Sequence, residues 1–264
     1  MDNSSAQAPN HWATINNEFT RLFDQGKAPR PNYLWCTLHA ANVARHAELD
    51  AISLLEFGVA GGSGLAALEA AAADAEAAFG VEVEVYGFDT GQGLPAPKDH
   101  RDAPFLMEAG DFPMDPQVLR DRLRRAELIL GDVEETVGAF SARDTAPVGF
   151  ISFDLDYYSS TRDALRLLDG AHDSLQPRIL CYFDDVHGYP WGDSNGARLA
   201  IREFNESHEE RKVDQLHGLR YLLPRSEFEA RWPEAIYLAH VFDHPRYADF
   251  EGTQITRRLD LESE

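Results

Sequence analysis

Four aspartates lie at two places in the sequence where an apolar run stops. Asp154 and Asp156 follow one such run, and the pair Asp184-Asp185 follows the next run along the chain. If the two runs are neighbouring strands, their ends lie about 5 Å apart and the four carboxylates converge. Carboxylates that close raise one another's pKa and destabilise the fold unless a positive charge neutralises them. Helix capping could account for one or two of them, but four at two strand ends indicate a site for a hard divalent cation such as Mg²⁺, which prefers oxygen ligands.

A loop of small residues, Gly58–Gly64, follows an earlier apolar run. Glycines let the backbone approach a ligand closely, and the helix that begins after the loop offers free N–H groups. The dinucleotide pattern G-x-G-x-x-G does not fit, because its later positions, counted from Gly58, are Ala60 and Ser63. By itself the loop is also compatible with a purely structural turn.

A further carboxylate, Asp89, ends the second apolar run. At a strand end it can accept hydrogen bonds from both hydroxyls of a ribose, or it can cap the next turn. Together with Glu56 and the glycine-rich loop it favours an adenosine site, with Asp132 after the third run as a candidate contact to adenine. The residues predicted to contact this ligand are Glu56, Gly58, Ala60, Gly61, Gly62, Ser63, Asp89 and Asp132.

The elements that must position these residues alternate along the chain from residue 51 onward. Five apolar runs predict strands at 52–57, 81–88, 128–130, 148–153 and 178–183, and helix-forming segments lie between them except between the third and the fourth. Near-continuous apolar strands of this kind are typical of a parallel sheet with helices on both faces. Segments 213–216 and 220–223 are expected to close the sheet as an antiparallel pair. The predicted fold is therefore α/β, with a doubly wound, mostly parallel sheet of seven strands.

The chain divides into three parts around this alternating region. Residues 1–49 contain two helices, at 12–24 and about 33–47, which could pack on the domain, act as a lid or form a subunit contact in a homo-oligomer. Residues 50–224 form the α/β domain. Residues 225–264 are expected to be a C-terminal extension that ends in an acidic tail.

Composition excludes several partners. With 24 Lys and Arg against 45 Asp and Glu, the 264 residues carry a formal net charge of −21. Such a charge repels nucleic-acid phosphates and anionic membranes, so we expect neither as a partner. The two cysteines are too few for a disulfide framework or a thiolate metal site. Because no apolar run approaches the roughly 18 residues that span a bilayer and the first ten residues are polar, the expected location is cytoplasmic.

Four segments combine the features described so far: Glu56–Gly64, Asp89–Pro95, Asp154–Thr161 and the pair Asp184-Asp185. Together they resemble the macrocin-type O-methyltransferases, over roughly residues 50–205. This family of class I methyltransferases uses S-adenosylmethionine and Mg²⁺ to methylate sugar hydroxyls of natural products. The resemblance implies a Rossmann-like methyltransferase fold and a metal-assisted O-methyltransferase that acts on a small hydroxylated acceptor.

The same resemblance implies roles for individual residues. Asp156 would be the general base that takes the proton of the acceptor hydroxyl. The implied metal ligands are Asp154, Asp184 and Asp185. The residues implied to lie along the cofactor include Glu56, Gly58 and Asp89.

The loop His187–Gly192 follows the aspartate pair closely and contains two aromatic residues. Aromatic rings suit a sugar ring or a flat polyol, so the loop is expected to border the acceptor or else to pack against its own scaffold. His187 is a second candidate base. The chain departs from the family pattern here, where a Tyr is usual nearby, and at Gly91-Gln92, which replaces an aromatic–acidic pair. These departures leave the acceptor undetermined.

Three other functions compete with methyl transfer. A phosphatase of the haloacid-dehalogenase type also places Asp-x-Asp after an apolar strand, but Tyr158 stands where that motif needs Thr and no lysine lies between Asp156 and Asp184. A dinucleotide-dependent oxidoreductase fails on the register of the loop. A non-catalytic adenosine-binding protein would keep the loop but would not need the four aspartates.

Overall fold

The predicted α/β sheet is present in the structure. The computed structural model describes residues 11–227 and 229–249, and the predicted acidic tail beyond them lies outside the described residues. Over this part of the chain the sheet has seven strands: β1 Ala51–Phe57, β2 Glu82–Asp89, β3 Glu127–Leu130, β4 Val148–Phe153, β5 Leu175–Phe183, β6 Arg211–Gln215 and β7 Ile236–Val241. The α-helices of the same part are α1 His11–Asp24, α2 Pro31–His46, α3 Ser63–Phe79, α4 Pro116–Arg122, α5 Val133–Ser141, α6 Tyr158–Leu165 and α7 Gly196–Ser207.

The strand order is β3-β2-β1-β4-β5-β7-β6. Strands β1 to β5 are parallel to their neighbours, and β7 is antiparallel to both β5 and β6. From β1 the chain proceeds towards one edge of the sheet, and from β4 it proceeds towards the other edge. The doubly wound, mostly parallel fold is therefore confirmed, and it has a crevice beyond the carboxyl ends of β1 and β4, where such folds bind ligands.

The antiparallel pair that closes the sheet differs from the prediction. Strand β6 pairs with β7 rather than with 220–223, and residues 219–222 form a 3₁₀ turn. Most residues of β7 are buried, whereas Tyr221 and Leu222 are exposed, so the later run buries more apolar surface in the sheet. A strand of the sheet thus lies within 225–264, the segment expected to be a C-terminal extension.

Helix α2 is a packed layer of the fold. Residues 32–44 of this helix are buried, and it packs against α3 and against β1, β4 and β5. Helix α1 packs on α2 in turn. Of the roles considered for the N-terminal helices, packing on the domain is the one found for α2. As a result its first turn lies beside the ends of the central strands.

One helix of the structure, α5, is absent from the sequence prediction. It begins after Asp132, whose carboxylate accepts a hydrogen bond from the backbone N–H of Glu134 at 2.9 Å. Valine, threonine and glycine are weak helix formers, and α5 contains all three, which hides it from propensity. None of the helices in the described ranges has the length and apolar character needed to cross a bilayer.

Candidate functional site

A cavity of about 340 Å³ opens at the carboxyl ends of the central strands. One side, which we call the glycine wall, consists of Glu56, the loop 58–64 and Asp89. The other side, which we call the aspartate wall, consists of Asp154, Asp156 and Asp184 at the ends of β4 and β5, with Asp185 hydrogen-bonded to the backbone of Asp156. Most of the predicted ligand contacts line the cavity, together with three of the four aspartates: Glu56, Gly58, Ala60, Gly61, Ser63, Asp89, Asp132, Asp154, Asp156 and Asp184.

Four phenylalanines fix the level of the strand ends beneath the cavity. Phe88, Phe57, Phe153 and Phe183 are buried and lie in register on β2, β1, β4 and β5. Their ring centroids are 4.6, 5.7 and 4.4 Å apart in that order. The residues that follow them therefore leave the sheet at one level, which explains why distant parts of the sequence share a cavity.

The two walls touch at Gly58, which has a φ of +84°. A Cβ atom added there would lie 1.7 Å from the backbone oxygen of Asp154, so only glycine fits. The predicted ligand contact of Gly62 stays a prediction, and the structure shows a packing role for this residue. It is not among the described residues that line the cavity, and a Cβ at this position would meet the side chain of Leu119. Gly62 therefore serves the packing of α4 on the loop.

Asp89 holds the glycine-rich loop in shape. One carboxylate oxygen accepts hydrogen bonds from the backbone N–H groups of Val59 at 2.9 Å and Ala60 at 3.0 Å. The other oxygen accepts one from Gly91 at 2.7 Å. Because each carboxylate oxygen has two acceptor positions, the second oxygen retains one for a ligand in the cavity. The predicted bond to ribose stays a prediction.

Glu56 is the buried acid of the glycine wall, with 1% of its surface exposed. Its Oε1 accepts a hydrogen bond of 2.6 Å from the hydroxyl of Tyr33, whereas its Oε2 has no partner among the described residues. Burial raises the pKa of Glu56 to about 8, against the lowering effect of the Tyr33 bond. A buried acceptor without a donor is costly, so this oxygen is suited to a cationic N–H group from a ligand.

Two residues of the site precede the predicted domain and have no counterpart in the sequence prediction. Tyr33, in the first turn of α2, also lies 2.8 Å from the Ser152 hydroxyl. Arg30, just before α2, lines the cavity, and its guanidinium lies 3.9 Å from Asp154 Oδ2. The only local sign in the sequence that these two residues could belong to a site is their polar character at the start of a largely apolar helix.

The aspartate wall is a crowded group of acids. Burial and then the charges of Asp184 and Asp185 raise the pKa of Asp154 to about 7. The pKa of Asp156 is raised by burial and by Asp154, and that of Asp185 by burial and by Asp156. The predicted convergence at the ends of β4 and β5 is therefore found.

The backbone of this wall is also unusual. Asp156 has a φ of +59°, a conformation that costs energy for any residue except glycine. Its backbone N–H donates a 2.9 Å hydrogen bond to Asp185 Oδ2, which helps to hold that conformation. Asp184 Oδ1 accepts a 2.5 Å bond from the Tyr182 hydroxyl.

The metal site itself is not assembled in these side-chain positions. Within 11–227 and 229–249, no three His, Cys, Asp or Glu side chains form a group that could hold a metal ion. Asp184 and Asp185 accept the protein hydrogen bonds described above. The role of Asp154, Asp184 and Asp185 as metal ligands therefore stays a prediction, although their carboxylate oxygens are the ligands that Mg²⁺ prefers.

His187 does not line the cavity that contains Asp156. A short 3₁₀ turn, Asp184–Val186, redirects the chain, and His187 lines a second cavity with Arg198, Glu234 and other residues. Burial lowers the pKa of its ring. The structure thus separates this second candidate base from the first.

Asp132, the predicted adenine contact, lines the main cavity but has a structural task as well. Its carboxylate caps α5, so one oxygen is already used by the backbone. This is the capping interpretation that the sequence left open for acids at strand ends.

Several known structures match this chain. The O-methyltransferase NovP matches with a TM-score of 0.50 and 13% identity, over 80% of this chain and 79% of NovP. CalS11, a TDP-rhamnose 3′-O-methyltransferase, matches with a TM-score of 0.42 and 19% identity, over 91% of this chain and 99% of CalS11. An O-methyltransferase from Bacillus cereus matches with a TM-score of 0.41 and 15% identity, over 90% of this chain and 94% of that chain. No family model and no curated protein matches the sequence. The likeness to NovP confirms the methyltransferase fold.

Proposed function

We propose that this protein is an S-adenosylmethionine-dependent O-methyltransferase of the macrocin type that methylates a hydroxyl group of a small molecule. The observation that carries the proposal is that the glycine wall and the aspartate wall share one cavity. A glycine-rich loop with two acids suits the cofactor, and the carboxylates beside it suit a hydroxylated acceptor. The competing phosphatase function leaves Glu56, the loop and Asp89 without a role.

The charge of the cavity favours S-adenosylmethionine over a nucleotide. The described residues that line it include six acids and one arginine. This field repels the phosphates of a dinucleotide and attracts the sulfonium and ammonium groups of S-adenosylmethionine. Glu56 Oε2, which lacks a donor in the described structure, is suited to accept a hydrogen bond from that ammonium group.

Methyl transfer requires a base beside the acceptor hydroxyl, and we assign that role to Asp156. Its raised pKa makes it a better proton acceptor near neutral pH than an exposed aspartate. In the proposed step the hydroxyl oxygen attacks the methyl carbon, the carbon–sulfur bond breaks and its electron pair stays on sulfur. The proton passes to Asp156, and S-adenosylhomocysteine is left.

We further propose that Asp154, Asp184 and Asp185 hold a divalent cation such as Mg²⁺. The support is the donor chemistry and the crowding of acids that raises the pKa of Asp154. When bound, such a cation would lower the pKa of the acceptor hydroxyl. The chain's own task is to keep these carboxylates beside the cavity, which the register of β4 with β5 supports.

The acceptor is expected to enter near Phe112, which lines the cavity although its side chain is half-exposed. Tyr189 of the loop His187–Gly192 is 87% exposed and, like His187, is absent from the described lining of this cavity. A border role of this loop therefore requires the acceptor to extend beyond the cavity.

Methyl-labelled S-adenosylmethionine tests the proposed function. The protein is incubated with Mg²⁺ and a panel of sugars, glycosides and phenols, and the label is followed into products. We expect labelled product from at least one hydroxylated acceptor, loss of transfer in excess chelator and recovery with Mg²⁺. Full transfer in chelator would refute the metal role. Cofactor binding without transfer to any acceptor would support the non-catalytic alternative.

A further inference from the structure

The cavity presents an electrostatic problem for the proposed cofactor. S-adenosylmethionine carries two cations, the sulfonium and the ammonium, but also a carboxylate. The cations suit a cavity whose described lining includes six acids. The carboxylate would be repelled by the same acids unless a positive group meets it.

Arg30 is the one cation among the described residues that line this cavity. About a third of its side chain is exposed. A ligand in the cavity can therefore reach the guanidinium. The guanidinium also lies over the Tyr33 ring, 5.2 Å from the ring centroid. Its contacts with Ser63 of the glycine wall and with Asp154 of the aspartate wall place it at the junction of the two walls.

The donors of Arg30 are only weakly used within the described residues. A guanidinium has five N–H donors. Its polar side-chain contacts there are one long hydrogen bond to the Ser63 hydroxyl at 3.4 Å and the ion pair with Asp154 at 3.9 Å, which is too long for a hydrogen bond. This leaves donors for a bidentate bond to a carboxylate, the geometry in which arginine binds such groups most strongly.

Rigid packing holds Arg30 in place. Pro31 follows it and opens α2, and the next residues of the helix are buried. Tyr33 ties the same turn to Glu56 and to Ser152 on β4. The backbone from which the Arg30 side chain extends is therefore held beside Glu56, whose Oε2 has no partner among the described residues.

We infer that Arg30 recognises the carboxylate of the amino-acid part of S-adenosylmethionine, while Glu56, which lines the same cavity, takes its ammonium group. This inference rests on the proposed function. It makes the segment before the α/β domain part of the cofactor site and assigns it the selection of cofactors that carry an α-carboxylate. Arg30 is a binding residue in this account and takes no part in the transfer step.

Calorimetry with two ligands tests the inference. The ligands are S-adenosylhomocysteine and its decarboxylated analogue, which keeps the amine and the adenosine but lacks the carboxylate. Wild-type protein should bind S-adenosylhomocysteine more tightly. In Arg30→Gln we expect binding of S-adenosylhomocysteine to weaken by about 10- to 100-fold, as for the loss of a charged hydrogen bond, and binding of the analogue to be unchanged or improved.

Arg122→Gln is the matched control. Arg122, the last residue of α4, is exposed and donates to the backbone oxygen of Gly61, so it is an arginine beside the glycine-rich loop that is not among the described cavity residues. Its loss should change the affinity of both ligands by less than about 2-fold, as expected for a screened charge. Melting temperatures of the two variants check that both are folded, and Arg30→Lys should recover part of the selectivity because it keeps the charge.

The outcomes separate the inference from the function on which it rests. Equal weakening of both ligands in Arg30→Gln, or no weakening of either, would overturn the role of Arg30 and leave the proposed function intact. If wild-type protein binds neither ligand, the proposed function itself is wrong.

Discussion

The two walls of the cavity differ in how completely the protein satisfies their polar groups. On the glycine wall, Asp89 accepts three backbone hydrogen bonds and Glu56 accepts one from Tyr33. On the aspartate wall, burial and mutual repulsion raise the pKa of Asp154 to about 7. The glycine wall is thus largely preformed, whereas the aspartate wall holds negative charge that the chain neutralises only in part, through the ion pair of Arg30 with Asp154. The glycine wall is suited to the proposed cofactor, which stays bound throughout the reaction. The aspartate wall is suited to the acceptor and the proposed cation, which would complete the site.

The largest effect that this comparison predicts is on turnover, at the aspartate wall. Asp156→Asn removes the proposed proton acceptor but leaves the glycine wall unchanged. Methyl transfer should fall by about 100- to 10,000-fold, whereas the affinity for S-adenosylmethionine should stay within a few-fold of wild type. Asp111→Asn is the control, because the charge of Asp111 acts on Asp156 but its side chain does not line the cavity. Unchanged turnover in Asp156→Asn would place the base elsewhere.

A smaller effect, on stability, is expected where the walls touch. Gly58→Ala combines a left-handed backbone with a Cβ 1.7 Å from the Asp154 backbone oxygen. Gly80→Ala has a similar φ of +70° but nothing within 4 Å of the new Cβ. The Gly80 variant should lose about 1 kcal/mol of unfolding free energy, and the Gly58 variant clearly more. Equal losses in urea titrations would show that the walls are not in contact.

The remaining effect is a pH dependence of stability that arises from the buried acid of the glycine wall. The folded pKa of Glu56, about 8, lies above its ordinary value of 4.5, so between these values the folded state holds a proton that the unfolded state has released. Its contribution to stability is complete below pH 4.5 and is lost as pH rises through 8, at up to about 1.4 kcal/mol per pH unit. Asp154 and Asp89 oppose its ionisation, while Arg30 and Tyr33 favour it.

Glu56→Gln tests this dependence. The variant cannot ionise, so its unfolding free energy should fall less steeply between pH 5 and pH 8 than that of ligand-free wild type. Parallel curves for the two proteins would contradict the account of Glu56.

Much of the site follows from local sequence patterns. The apolar runs end where the strands end, so Glu56, Asp89, Asp154 and Asp184 are found at one edge of the sheet, as strand periodicity and fold topology dictate. These residues need no long-range information beyond the strand order.

The remaining residues depend on contacts that no local pattern contains. Tyr33 reaches Ser152 across 119 positions of sequence, and Arg30 is positioned by the packing of α2 rather than by a motif. A turn of three residues precedes His187, which lines a different cavity from Asp156, and the direction of that turn depends on tertiary packing. Gly62 is a residue type that is common in ligand-binding loops, but here a glycine is needed because a Cβ would clash with the side chain of Leu119.

The central claim is that the glycine wall forms a cofactor site without help from the aspartate wall. Its most direct test is a calorimetric titration of S-adenosylmethionine into protein freed of metal by a chelator, repeated with Mg²⁺. The account predicts saturable binding at one site per chain, with nearly the same affinity in both titrations. Absence of binding in both would contradict it, and binding only with Mg²⁺ would show that the two walls form a single site.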